Sequence, residues 1–254
     1  MSIEIILASP PEYCKNALLW GAPVAHMAYK TCGAHLYRAA LPESLRRGLM
    51  VISNTTASEK SDIENLCGQI ISECHVRCYS GVIADFEPPC PFGERLLSTL
   101  SAELSRRRLS LYTSEWASHY TTNSRVILST AVSGGSLAHR LSEAAGIFGR
   151  GRLVPDLEIS HQDFLLPIAD GEGQNLSHKQ INELLEQSGA KSFFSNDLYC
   201  NYFTYKNRQG LHFVLYDDAT SVAKKIDLIK KLGIREGILL FPEIDTSIAK
   251  AALC

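Results

Sequence analysis

Short β-branched or aliphatic runs recur along the chain, and helix-periodic stretches lie between them. Residues 3–8, 24–29, 49–53, 81–87, 109–113, 126–130, 153–159, 212–216 and 237–241 form the runs, and each predicts a strand. Helices are predicted over 59–71, 93–107, 137–148, 177–187 and 219–232. The last of these aligns Val222, Ile226, Ile229 and Leu232 on one stripe. Asp217 and Asp218 stand at its start, and Lys230 and Lys231 at its end, as the helix macrodipole favours. Alternation of strand and helix builds a parallel sheet covered by helices. Because no glycine fingerprint follows the first strand, the pattern fits an α/β fold of the (β/α)8 TIM barrel type better than a doubly wound sheet. Segments 24–47 and 192–206 are ambiguous, which leaves the strand count open and allows an irregular barrel.

Length and composition narrow this further. The chain has 254 residues, which is barrel-sized, and no repeat, linker or charge block divides it, so residues 1–254 are expected to form one domain. With 45% hydrophobic and 20% charged residues it is neither disordered, collagenous nor coiled-coil. A net charge of −2 gives no electrostatic reason to expect nucleic acid as a partner. The first residues carry Glu4 inside their apolar run and no preceding Lys or Arg, unlike a secretory signal. No segment has the roughly 18 uncharged apolar residues of a membrane span. The eight cysteines belong to a chain large enough for its own core, so reduced thiols in a cytoplasmic setting are expected.

Most motifs that announce a chemistry are absent: there is no Walker A, Gly-x-Gly-x-x-Gly, His-Glu-x-x-His or Gly-x-Ser-x-Gly. Cys67, Cys74 and Cys78 have helical spacing and no matching second pair, which favours small buried thiols over a metal site. Ser133-Gly-Gly-Ser136 is expected to be a turn with an N-cap serine, and Asp170-Gly-Glu-Gly173 a turn without calcium-loop spacing. Nothing calls for a metal or a cofactor.

The informative stretch is Ser80-Gly-Val-Ile-Ala-Asp-Phe-Glu-Pro-Pro89. Side chains alternate along a strand, so Ile83, Asp85 and Glu87 share one face and Val82, Ala84 and Phe86 the other. Two carboxylates then project together at the strand's C-terminal end, where barrel active sites lie, and Pro88-Pro89 ends the strand there. Neighbouring carboxylates repel, so one holds its proton to higher pH and can act as an acid. A pair of solvated acids at a strand end is the plain alternative.

Gly81-Val-Ile-Ala-Asp-Phe-Glu87 resembles the catalytic strand of the family-18 glycoside hydrolases, the chitinase-like barrels, whose pattern is Asp-Gly-x-Asp-x-Asp-x-Glu. Leu215-Tyr-Asp-Asp-Ala-Thr-Ser221, the helix carrying Lys224 and Lys225, and the strand ending at Phe241 are similar to that family's closing helix and final strand. The resemblance implies that Glu87 is the general acid/base and that Asp85 orients the substrate's N-acetyl group. The acetamido oxygen of the sugar is then the nucleophile, giving retention without a protein nucleophile. A carbohydrate containing N-acetylglucosamine is the implied partner.

Two departures stand out. Ser80 and Ile83 occupy the positions of the pattern's first two acids, so Asp85 is expected to share a proton with Glu87 alone. Phe241 stands where a Trp platform is usual, and a Phe ring offers a smaller stacking surface. The family also supplies a Tyr near the acetamido carbon, for which Tyr112, Tyr202, Tyr205 and Tyr216 are candidates. Asp163 is placed to bind a hydroxyl or to cap a turn, Glu243 to face the barrel mouth, and Trp116 to stack on a sugar or pack at the rim. An N-acetylglucosamine glycan is commonly extracellular, so action outside the cell, or on spores or phage, is the alternative to the cytoplasmic setting. A barrel of this ancestry that binds glycan without cleaving it is the alternative to a hydrolase.

Overall fold

The computed structural model describes residues 3–42, 44–54, 62–86, 91–167 and 173–253. Eight parallel strands close on themselves: β1 (Glu4–Ser9), β2 (Val24–Cys32), β4 (Leu49–Asn54), β5 (Gly81–Asp85), β6 (Ser110–Ser114), β7 (Arg125–Ser129), β8 (Leu153–Asp156) and β14 (Glu236–Leu240). Closure comes from β1, which pairs in parallel with both β14 and β2. A ninth strand, β3 (His35–Arg38), folds back antiparallel on β2 and resolves the ambiguous 24–47 segment as a hairpin. The expected (β/α)8 barrel is therefore observed, and each of its eight strands overlaps a run read from the sequence.

Helices α1 (Cys14–Leu18), α2 (Ile63–Arg77), α3 (Pro91–Arg106), α4 (Leu137–Phe148), α6 (Ala219–Lys231) and α7 (Thr246–Leu253) accompany the barrel strands. Their apolar stripes bury against the outward faces of the strands, as with Leu96, Leu97, Leu100 and Leu104 of α3. Asp62 caps α2 by accepting a hydrogen bond from Asn65 N, and Asp218 with Ser221 forms a reciprocal capping box on α6. Ser136 Oγ likewise accepts from His139 N at the start of α4, so the Ser-Gly-Gly-Ser segment ends in an N-cap serine as expected. Inside the barrel a smaller cluster of Ile6, Val51, Ile83, Val154 and Ile238 fills the middle layer.

The run at 212–216 is not a barrel strand. It forms β13 (Leu211–Tyr216) of an antiparallel sheet inserted between β8 and α6, with β9 (His161–Leu166), β10 (Gln174–Asn175), β11 (Phe193–Ser195) and β12 (Cys200–Lys206) in the order β10-β9-β13-β12-β11. It buries residues on both faces, Val214 with Phe203 and Leu215 with Phe164, and an apolar run of this kind carries no information about which sheet it joins. Helix α5 (His178–Ser188) belongs to the same insertion, and its Ile181 packs with Phe203 and Val214.

Six cysteines lie among the described residues, and all six are free thiols. Cys67 and Cys74 are buried on α2 as expected, whereas Cys78 is exposed, because it caps the helix in a left-handed conformation and leaves the buried stripe. Among the described residues no helix is long and apolar enough to cross a membrane.

Candidate active site

The site begins with the parity of β5. Val82, Ala84 and Phe86 pack outward into the layer beneath the helices, while Ile83 joins the inner cluster. Two residues on, Asp85 emerges exposed at the C-terminal end of the strand, as the alternation predicts. Glu87, Pro88 and Pro89 lie outside the described residues, as does most of the Asp170-Gly-Glu-Gly turn.

Asp85 opens into a cavity of ≈ 200 Å³ at the barrel mouth, shared with Ser114 and Asp156 and floored by Ile83, Ile127 and Ile238. A second cavity of ≈ 370 Å³ also contacts Met27, Val51 and Asp85 and runs out along the β2–β3 hairpin, past Lys30, Tyr37 and Arg38. Asp85 therefore borders both parts of one cleft.

The cleft is acidic. Asp156 ends β8 pointing inward, and its carboxyl is pushed up to about 7 by burial first and then by the negative charges of Glu158, Glu243 and Asp85. Glu158, two residues beyond Asp156, accepts a hydrogen bond from Ser129 Oγ at 2.7 Å. Glu243 lies in the 3-10 turn Phe241–Glu243 that follows β14; burial raises its carboxyl, the nearby His161 opposes that rise, and Glu158 adds to it. Its charge acts on Asp156, though it is not among the residues lining either cavity.

Pro155-Asp156-Leu157-Glu158 carries the same sequence signal as the Asp85 stretch, an Asp-x-Glu pair at the end of a barrel strand. The structure also explains how that stretch is held. Asp217, fully buried, accepts hydrogen bonds from Ser160 N at 2.8 Å, Ser221 Oγ at 2.7 Å and Lys225 Nζ at 2.6 Å, and Lys225 Nζ also reaches Glu158 O at 3.4 Å. The Asp-Asp…Ser…Lys pattern around the start of α6 thus ties that helix to the chain leaving β8.

Other sequence candidates are placed elsewhere. Tyr112 points inward, but it sits below the mouth, where its hydroxyl donates to Glu236 Oε2 at 3.1 Å and Arg125 lies over its ring and pairs with Glu236. Asp163 and Tyr205 are bonded to each other in the inserted sheet: Tyr205 Oη donates to Asp163 Oδ2 at 2.7 Å, and His212 Nδ1 lies 3.0 Å from both carboxylate oxygens. Tyr216 shares a hydrogen bond with Ser192 Oγ, and Tyr202 packs between Phe193 and Phe213. Phe241 opens the turn after β14; Ile238 and Leu240 line the mouth cavity, and Phe241 packs against the outer layer instead. Trp116 packs there too, edge-on to Tyr120.

No protein-family model and no curated protein sequence matches the chain. Solved structures do. A chitinase from Chromobacterium violaceum superposes with a TM-score of 0.77 at 15% identity, covering 99% of this chain and 98% of that one. The fold is that of the family-18 chitinase barrels. The Bacillus megaterium spore cortex-lytic enzyme SleL aligns with a TM-score of 0.73 at 15% identity over 99% of this chain and 74% of that one. A family GH18 chitinase from Cycas revoluta, solved in complex with (GlcNAc)4, aligns with a TM-score of 0.67 at 14% identity over 98% of each chain. The fold class read from the sequence and the chitinase-like resemblance of its fourth barrel strand agree with these barrels.

Proposed function

We propose that the chain is a glycoside hydrolase acting on a glycan that contains N-acetylglucosamine, with retention of configuration and assistance from the substrate. The observation that carries this reading is Asp85, which rises from the fourth strand of a chitinase-like barrel over Ile83 into the mouth cavity. In this reading Glu87 donates its proton to the glycosidic oxygen as that bond to the anomeric carbon breaks. The acetamido oxygen closes onto the same carbon. Water then adds to the anomeric carbon, returning its proton to Glu87 and releasing the acetamido group. Asp85 holds the acetamido N–H while charge develops on the ring, a stabilisation that a partly closed, apolar-floored cavity strengthens. Cell-wall or chitin-like glycans are the substrate class in keeping with the SleL and (GlcNAc)4 structures, with action outside the cell or on spores.

The test is chromophore release from aryl N-acetylglucosamine mono-, di- and trisaccharides across pH, with Glu87→Gln as the paired variant. An amide keeps the shape of the side chain and cannot donate the proton, so turnover is expected to fall at least ~100-fold while binding persists. Equal hydrolysis by the two proteins rejects Glu87 as the acid. The second reading, a barrel that binds glycan without cleaving it, is favoured by the apolar packing of Ile83 directly below Asp85; binding by the wild type without turnover selects it.

A further inference from the structure

Resting on that reading, we propose that Asp156 is the carboxyl that shares a proton with Asp85, supplying from across the barrel what an acid at position 83 would supply from directly below. On β5 the inward-facing residue beneath Asp85 is the apolar Ile83. Asp156 comes from β8, three strands further round, and both carboxyls end inward-facing positions at the same mouth and border the same ≈ 200 Å³ cavity. Among the described residues lining that cavity there is no lysine or arginine. The charged groups that act on Asp156 are Glu158 just beyond β8, Glu243 after β14 and Asp85 on β5, all negative, while His161 acts on Glu243. An apolar floor and uniformly negative neighbours make two ionised carboxylates costly, and one retained proton relieves both. That burial and these three neighbours raise the Asp156 carboxyl agrees with the geometry. Pairing across the barrel differs from sharing with Glu87 alone, because the proton stays available to Asp85 when Glu87 is occupied at the glycosidic oxygen.

The experiment is a carboxyl-carbon NMR titration of the whole chain labelled at aspartate, comparing wild type, Asp156→Asn and Asp85→Asn. A carboxyl titrating near neutral pH is expected in the wild type and absent from Asp156→Asn. Asp85→Asn is expected to lower that midpoint by on the order of one unit, because a like charge has been removed. A midpoint that does not move in Asp85→Asn overturns the proposal whether or not the chain hydrolyses any sugar. The paired readout is the pH profile of kcat/KM on the aryl oligosaccharides: in Asp156→Asn the alkaline limb is expected to move to lower pH, because the like charge that held the proton is gone, and kcat to fall about tenfold or more. An unchanged alkaline limb likewise overturns it. Carboxyl coupling in a wild type that cleaves none of these sugars supports the shared proton and rejects the glycosidase reading, so the two failures are distinct.

Discussion

Lys225 Nζ lies 2.6 Å from Asp217 Oδ2, and neither side chain is more than 1% exposed. A charge buried this deeply is tolerated because every partner is present: Ser160 N and Ser221 Oγ complete the carboxylate, and Glu158 O receives the ammonium at longer range. Lys225→Met removes one charge and strands the other. A loss of roughly 3–5 kcal/mol in denaturant-measured stability is expected, and the double variant Lys225→Met, Asp217→Asn is expected to recover part of it. Additive losses in the two single variants would show that the pair is not coupled.

Asp156 gives stability a pH dependence with a definite sign. Its carboxyl titrates near 3.8 when unfolded and at about 7 in the fold, so the folded state holds a proton that the unfolded chain has released across that window. The stability contribution is complete below about pH 4 and is lost as pH rises towards 7. Asp156→Asn, which cannot ionise, is expected to flatten this fall in Tm between pH 4 and 7. Parallel Tm profiles for wild type and variant would contradict it.

The Asp163, Tyr205 and His212 cluster predicts a graded series. Tyr205→Phe removes one hydroxyl donor from a carboxylate that His212 still serves, for an expected cost of about 0.5–1.5 kcal/mol. Asp163→Ala leaves both the buried His212 Nδ1 and the tyrosine hydroxyl without their acceptor and is expected to cost more, about 2–4 kcal/mol from two lost bonds. Thermal unfolding of the two variants orders them, and equal losses would show that Asp163 is not the hub.

The parts of this molecule that obey a period were legible in its sequence. Gly81–Asp85 alternates between inner and outer faces, so the inward aim of Asp85 could be read from spacing alone. The run at 212–216 reads as one more barrel strand and lies in the inserted sheet instead, since an apolar run reports burial and not partner or direction. His161–Leu166 was hidden for another reason: its alternating positions include His161 and Asp163, which look like loop residues until His212 and Tyr205 supply their partners. Phe241 lies off the cavity because the strand ends at Leu240 and the chain turns there. Asp156 and Glu158 carry a readable spacing, but only closure of the barrel sets Asp156 on the same cavity as Asp85.

Gly81 shows how a residue with no side chain positions one that has chemistry. It starts β5 beside Ser110 at the start of β6, and a Cβ built on it would lie 2.4 Å from Ser110 O and 2.9 Å from Ser110 Cβ. The nearer contact is backbone held in the β5–β6 ladder, so it cannot swing aside as a flexible side chain would. Gly81→Ala must therefore separate the two strands at their base, at an expected cost of about 1–3 kcal/mol. Asp85 is four residues along the same inward face, so the displacement is carried towards the mouth. A shift approaching 1 Å is enough to lower turnover on the order of 100-fold without altering any group that touches sugar. The distinguishing measurement is kcat and KM of Gly81→Ala below its own melting transition, where a fall in kcat exceeding the change in KM is expected. Wild-type kcat together with lowered Tm would confine the role of Gly81 to stability.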